Sequence, residues 1–289
     1  MELTKVGTSS FVALGFGVFL AIVIPVAVSL LWKFRKKERF TTILIGAAVF
    51  LVFALILEKL IQNVLIFPTQ MMLPDHAASR FINARPVLWA FIVGLFPGVF
   101  EETGRLVAFK TVLRRRKNRE TSISYGIGHG CFEVMMILGV TYIEYLVFAV
   151  MINQGVFQTI IDQAAAKAPS QVDAIYDMAA QIAGFTAVDL GVAVFERIFA
   201  VLFHIGASIL VFYACKYKKK FWLYPLAILL HTAMDFIAGL MLAGVIQLST
   251  WALEGIFAVF GIVVFCGAYF LLYRKDKDPQ GTAAIPLND

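Results

Sequence analysis

Seven apolar stretches, each long enough to form a helix across a lipid bilayer, dominate the sequence. A membrane-crossing helix needs roughly 20 mostly apolar residues, whereas the strands of a membrane barrel alternate apolar and polar residues. Here the stretches are continuously apolar, and 60% of the 289 residues are hydrophobic while only 15% are charged. The sequence therefore predicts an all-α, polytopic membrane helix bundle with about seven transmembrane helices. Their predicted bounds are Phe11–Trp32, Phe40–Leu60, Val87–Leu113, Ser122–Leu146, Thr186–Ala214, Phe221–Val245 and Trp251–Tyr273.

Clusters of lysine and arginine follow every second apolar stretch. They begin at Lys33, Arg114, Lys216 and Arg274. Short loops rich in these residues stay in the cytoplasm, so the alternation predicts an N-terminus outside and a cytoplasmic C-terminus. The net charge of +6 is thereby explained as a topology signal. We expect the lipid bilayer as a partner and no nucleic acid.

The sequence contains neither an internal repeat nor a soluble domain. We predict one integral membrane domain over residues 1–289, with a tail from Asp276 to Asp289 that is rich in Pro, Gly and charge and is expected to be disordered. Two outside connections, Gln62–Arg85 and Gln154–Ala183, contain apolar residues. They are predicted to be either interfacial helices or ordinary loops.

Ionisable residues occur in the middle of four of the apolar stretches. They are Glu101 with Glu102, Glu133, His204 and His231. Such residues are costly in the bilayer and usually mark a functional site. Between 11 and 14 residues separate each position from the nearest basic cluster. At the rise of an α-helix, all four positions lie about 17 to 21 Å from the cytoplasmic basic residues. We therefore predict that they form one layer near the middle of the membrane.

Helical spacing suggests partners within this layer. Arg105 follows Glu102 by three residues and Glu101 by four, so it can pair with either acid. One carboxylate would be neutralised, and the other would remain to act as a general base. In the fourth stretch His129 and Glu133 share a helix face, and either could point into the site.

A carboxylate base together with histidines suits hydrolysis of an amide by an activated water. Asp235 shares a helix face with His231 and could orient its imidazole. In a metal-dependent site Glu133, His204 and His231 would be the ligands of Zn²⁺, which accepts such nitrogen and oxygen donors. In a metal-free site the glutamate would activate water directly. A proton-coupled transporter, or a non-proteolytic scaffold or immunity protein, is the alternative to a peptidase.

Four short motifs follow one another along stretches three to six. They are Glu101-Glu102-Thr-Gly-Arg105, Gly128-His129-Gly130-x-x-Glu133, His204, and His231-x-x-x-Asp235. Their order resembles that of the CPBP superfamily of intramembrane proteases, which includes the CAAX prenyl endopeptidases, Abi-type proteins and PrsW-like proteases. Within that group the chain is most similar to the YhfC family. The resemblance covers approximately residues 87–245 and implies a multi-pass peptidase of the bacterial-type plasma membrane.

The resemblance also implies roles for individual residues. Glu101 matches the acid that activates water, and Glu102 matches the adjacent acid paired with Arg105. His204 matches the histidine of the third motif, and His231 with Asp235 match the last motif, where CAAX proteases carry Asn in place of Asp. In the second motif the resemblance does not decide between His129 and Glu133. The expected substrate is an unknown protein or peptide.

Overall fold

The computed structural model describes residues 3–281. Within this range it contains helices and no strands, and seven helices are long and apolar enough to cross a membrane. We number them in chain order: Thr8–Lys36, Phe40–Ile66, Pro86–Lys110, Glu120–Asn153, Ala187–Lys216, Lys218–Leu242 and Thr250–Tyr273. The predicted all-α bundle of about seven transmembrane helices is confirmed. The orientation of the two termini stays a prediction.

Some helix ends differ from the predicted bounds. The second helix continues to Ile66 instead of ending at Leu60. Its polar residues Glu58 and Gln62 are only 2% and 6% exposed, so they are accommodated inside the protein and do not end the helix. The third helix begins with Pro86 in its first turn, where a missing backbone N–H costs nothing.

The two long connections contain short helices. Ala77–Asn83 lies in the first connection, and Gln158–Lys167 and Val172–Ala183 lie in the second. The last two helices have buried positions at Ile161 and Ile182. These connections are thus partly helical, while their placement at the membrane surface stays a prediction.

The chain divides into two compact units. One comprises Met1–Ala27 and Val134–Arg197, and its core includes Leu14 and Tyr142. The other comprises Val28–Glu133 and Ile198–Asp289. The predicted site residues all belong to this second unit. The prediction of one integral membrane domain is not tested by this division and stays a prediction.

Glycines bring the helices of the second unit close together. At Gly98 of the third helix, a methyl group in place of hydrogen would collide with Thr232 and the backbone of Ile228 in the sixth helix. At Gly128 of the fourth helix it would collide with the backbone of Ile43 in the second. Because small residues permit such close backbone contact between membrane helices, the polar side chains one turn away come within hydrogen-bonding distance.

The tail that was expected to be disordered begins at Asp276. Its first part, up to residue 281, is described, and there Asp276 accepts hydrogen bonds from Tyr213 at 2.8 Å, from Lys216 at 2.8 Å and from Tyr217 at 2.6 Å. Residues 282–289 lie outside the described range.

Candidate active site

Arg105 lies at the centre of a buried polar cluster. Its side chain is 0% exposed. Its Nη1 donates to Glu102 Oε1 at 2.6 Å, whereas its Nη2 lies 3.7 Å from Glu101 Oε2. Arginine stays charged in proteins and has donors only. Of the two adjacent acids, Glu102 is therefore the one that forms a hydrogen-bonded ion pair with Arg105.

Glu101 has a different environment, although it is the next residue in the chain. Its side chain retains 8% exposure, and its Oε2 accepts a hydrogen bond from His129 Nε2 at 2.8 Å. The other ring nitrogen of His129, Nδ1, is buried without a hydrogen-bond partner among the described residues. Phe50 packs against the His129 ring edge-on, with ring centroids 4.9 Å apart.

His204 connects the arginine to the fourth helix. Its Nδ1 lies 2.7 Å from Arg105 Nη2, and its Nε2 lies 2.5 Å from Glu133 Oε2. The remaining donor of Arg105, Nε, reaches Ser208 Oγ at 3.3 Å, and Ser208 in turn donates to the carbonyl oxygen of His204 at 2.7 Å. One turn of the fifth helix thus holds the arginine by two side chains.

His231 completes the cluster from the sixth helix. Its Nδ1 donates to Glu102 Oε1 at 2.9 Å, and its Nε2 lies 3.4 Å from Asp235 Oδ2. Carboxylate oxygens therefore face both ring nitrogens of His231. Asp235 is the most exposed member of the cluster, with 30% of its side chain accessible.

The structure brings the predicted site residues together in one connected cluster. They are Glu101, Glu102, Arg105, His129, Glu133, His204, His231 and Asp235. His129 and Glu133 both belong to it, because His129 contacts Glu101 and Glu133 contacts His204. The catalytic roles assigned to these residues stay predictions.

Two groups of buried side chains could each hold a metal ion. Glu101, His204 and His231 form one, and His129, Glu133 and His204 form the other, each with its donor atoms within 4.8 Å of one another. The set predicted from the sequence, Glu133 with His204 and His231, is divided between the two groups. Both groups combine nitrogen and oxygen donors, which suits zinc chemically.

Both groups depend on His204, however, and the one lone pair of this histidine is already engaged by Arg105. Since Arg105 can only donate, His204 Nδ1 must accept, and the ring proton then lies on Nε2, facing Glu133. A metal bound at Nε2 as well would require the ring to lose both protons. With Arg105 in this position the residues therefore do not fit a metal at His204.

Two residues that contribute to the cluster were not predicted from the sequence. Glu58 of the second helix is buried, pairs with Lys59 at 2.9 Å and is close enough to interact electrostatically with Glu101 and His231. An acid within a long apolar stretch was the available signal. Ser208 is the other, and a serine in an apolar helix gives no such signal.

Comparison with known proteins supports a relationship with one family. Residues 20–257 match the sequence profile described as "YhfC intramembrane metalloprotease". The chain is also similar to the "Uncharacterized membrane protein YhfC" of Bacillus subtilis (strain 168), with 28% identity over 229 residues. The match covers 79% of this chain and 83% of that protein. No solved structure matches.

Proposed function

We propose that this chain, which belongs to the YhfC family, is an intramembrane endopeptidase in which Glu101 is the general base. The observation that carries the proposal is that two adjacent acids have different environments. Glu102 is 0% exposed and bonded by both Arg105 and His231, whereas Glu101 keeps 8% exposure and is bonded by His129. A base must reach water, and Glu101 meets that requirement better than Glu102.

In the proposed reaction Glu101 takes a proton from water, and the water oxygen forms a bond to the carbonyl carbon of the substrate. The proton is then delivered to the amide nitrogen. The C–N bond breaks, and the products are a carboxylic acid and an amine. A histidine donor such as His129, whose Nε2–H already points at Glu101, would hold the carboxylate in place for the proton transfer.

The adjacent groups have supporting roles in this scheme. Arg105 fixes Glu102, and Glu102 fixes His231 through its Nδ1 proton. His231 is thereby positioned next to the acids from the opposite helix, where an imidazole donor would stabilise the negative charge on the carbonyl oxygen. No step is assigned to a metal, because His204 is committed to Arg105. A zinc-dependent site with Glu133, His204 and His231 as ligands, one of the two alternatives derived from the sequence, stays a prediction.

The proposed substrate is a protein or peptide whose scissile bond lies in or near the membrane. The location of the cluster in the third to sixth apolar helices supports this. The proposed location of the enzyme is the bacterial plasma membrane, which it crosses several times.

The test is cleavage in proteoliposomes of a library of membrane-inserted peptides, with new termini detected by mass spectrometry. Glu101→Gln should reduce the cleavage rate by about 10²- to 10⁴-fold, the usual contribution of a general base. Glu144→Gln is the matched control, since Glu144 is an exposed acid of the fourth helix, and it should retain the wild-type rate.

Two results would contradict the proposal. One is a correctly folded wild type that cleaves none of the peptides, and the other is a Glu101→Gln variant with the wild-type rate. Proton flux should be recorded in the same liposomes. Flux that depends on Glu101 in the absence of cleavage would favour the transporter instead.

A further inference from the structure

The guanidinium of Arg105 contacts the two atoms that a metal ion would need as ligands. Its Nη2 is 2.7 Å from His204 Nδ1 and 3.7 Å from Glu101 Oε2. These two acceptor atoms are 3.8 Å apart. Two ligands of a tetrahedral zinc, each about 2.0–2.1 Å from the ion, lie roughly 3.4 Å apart. The spacing of the acceptors is thus close to that of a zinc site, but the positively charged Nη2 lies beside both acceptors, 2.7 Å from one and 3.7 Å from the other.

The three buried histidines differ in what they can offer to a metal. His129 donates through Nε2 and keeps the lone pair of Nδ1, whereas His231 donates through Nδ1 and has Asp235 Oδ2 at 3.4 Å from its Nε2. His204 alone among them accepts from an arginine. Because both metal-binding groups require His204, a single residue, Arg105, controls both.

We propose that Arg105 and a divalent cation of the zinc type compete for the same two acceptors, His204 Nδ1 and Glu101, so that Arg105 keeps the site metal-free. If Arg105 were removed, His204 could bind the ion through the Nδ1 lone pair that it already presents. Its Nε2 proton would continue to face Glu133. A carboxylate beside the non-ligating nitrogen is the usual support of a metal-bound histidine.

The consequence for catalysis rests on the proposed function. A zinc ion in this position would take Glu101 as a ligand and remove it from its role as a base. Arg105 would then protect the glutamate mechanism from metal. The binding experiment below contains no substrate, so its result is independent of whether the chain proves to be a peptidase.

The experiment measures zinc affinity and stoichiometry in detergent, by competition with a fluorescent zinc indicator. The main variant is Arg105→Met combined with Glu102→Gln, which removes both charges of the ion pair and leaves no unpaired charge from it. It should bind one zinc ion about 10- to 100-fold more tightly than the wild type, the range that corresponds to one hydrogen bond of an ionised group.

Two controls identify the cause of a gain in zinc affinity. Arg80→Met with Asp75→Asn removes a matched Arg–Asp pair that lies outside the cluster, and it should bind zinc like the wild type. Adding His204→Gln to the main variant should abolish the gain. Wild-type protein that binds one zinc as tightly as the main variant would overturn the proposal, as would a gain that survives His204→Gln.

A second measurement needs no variant of the arginine. The chain has four histidines, so nitrogen NMR of histidine-labelled wild type gives few signals, and His204→Gln assigns one pair. The proposal requires a proton on Nε2 and none on Nδ1 of His204, unchanged by one equivalent of zinc. A proton on Nδ1, or a zinc-induced shift of this pair, would refute it even if the arginine variant failed to fold.

Discussion

Glu101 and Glu102 are neighbours in the chain, yet their replacement by glutamine should affect stability very differently. Glu102 is fully buried and accepts from Arg105 at 2.6 Å and from His231 at 2.9 Å. Removing one member of a buried ion pair typically costs about 3–5 kcal/mol, because the other charge loses its partner. Glu102→Gln should therefore lower the free energy of unfolding by an amount of this order.

Glu101→Gln should lower the free energy of unfolding much less than Glu102→Gln. The main contact of Glu101 is one hydrogen bond from His129, and an amide oxygen can accept the same bond. A typical net hydrogen-bond contribution is about 0.5–1.5 kcal/mol. The two variants should consequently differ by about 2–4 kcal/mol in stability, with Glu101→Gln the more stable and, by the proposed mechanism, the less active.

The native cysteines provide an assay for this difference. Cys131 is buried, and Cys215 and Cys266 are partly buried. A thiol-reactive dye therefore reports thermal unfolding in detergent without added labels. Equal midpoints for Glu101→Gln and Glu102→Gln would refute the reasoning, and so would a lower midpoint for Glu101→Gln. The midpoint of Glu144→Gln should equal that of the wild type.

Two further predictions concern packing and pH. Gly128→Ala should destabilise by about 1–3 kcal/mol, because the added methyl collides with a backbone carbonyl. Gly255→Ala, where nothing lies within 4 Å, should be neutral or stabilising by about 0.5–1 kcal/mol. Burial alone would raise the pKa of Asp276, but hydrogen bonds from Lys216 and two tyrosines outweigh burial and lower it. The stability from this lowered pKa is present above the unfolded pKa of about 3.9 and is lost as pH falls through the folded value. Asp276→Asn should therefore unfold more easily than the wild type at pH 7, with the difference shrinking towards pH 3.

The helices and their order could be predicted because hydrocarbon thickness imposes a minimum length on an apolar stretch. The ends were less predictable where polar residues are buried in the protein. Gln62 is predicted to lie in the connection after the second stretch, yet the second helix passes through it to Ile66. Hydropathy measures the cost of a residue in lipid, and it does not register that another helix covers the side chain.

The common depth of the site residues could also be predicted, since rise per residue converts sequence distance into height. The rotation of each helix about its own axis could not be predicted from the sequence. Which acid Arg105 selects depends on the side-chain directions that the glycine contacts impose, such as Gly98 against the sixth helix. The bond from Arg105 to His204 joins residues 99 positions apart on different helices, so no spacing rule could indicate it.

The arrangement explains why position 105 needs arginine and not merely a positive charge. The planar guanidinium reaches Glu102 with Nη1, His204 with Nη2 and Ser208 with Nε. A lysine presents one compact charge and could not hold these three directions together. Arg105 thus neutralises Glu102 and, with the same guanidinium, fixes the ring proton of His204 on Nε2. In the proposed mechanism, the availability of Glu101 as a base and the exclusion of metal from His204 therefore have the same structural cause, and both should be lost when the guanidinium of Arg105 is removed.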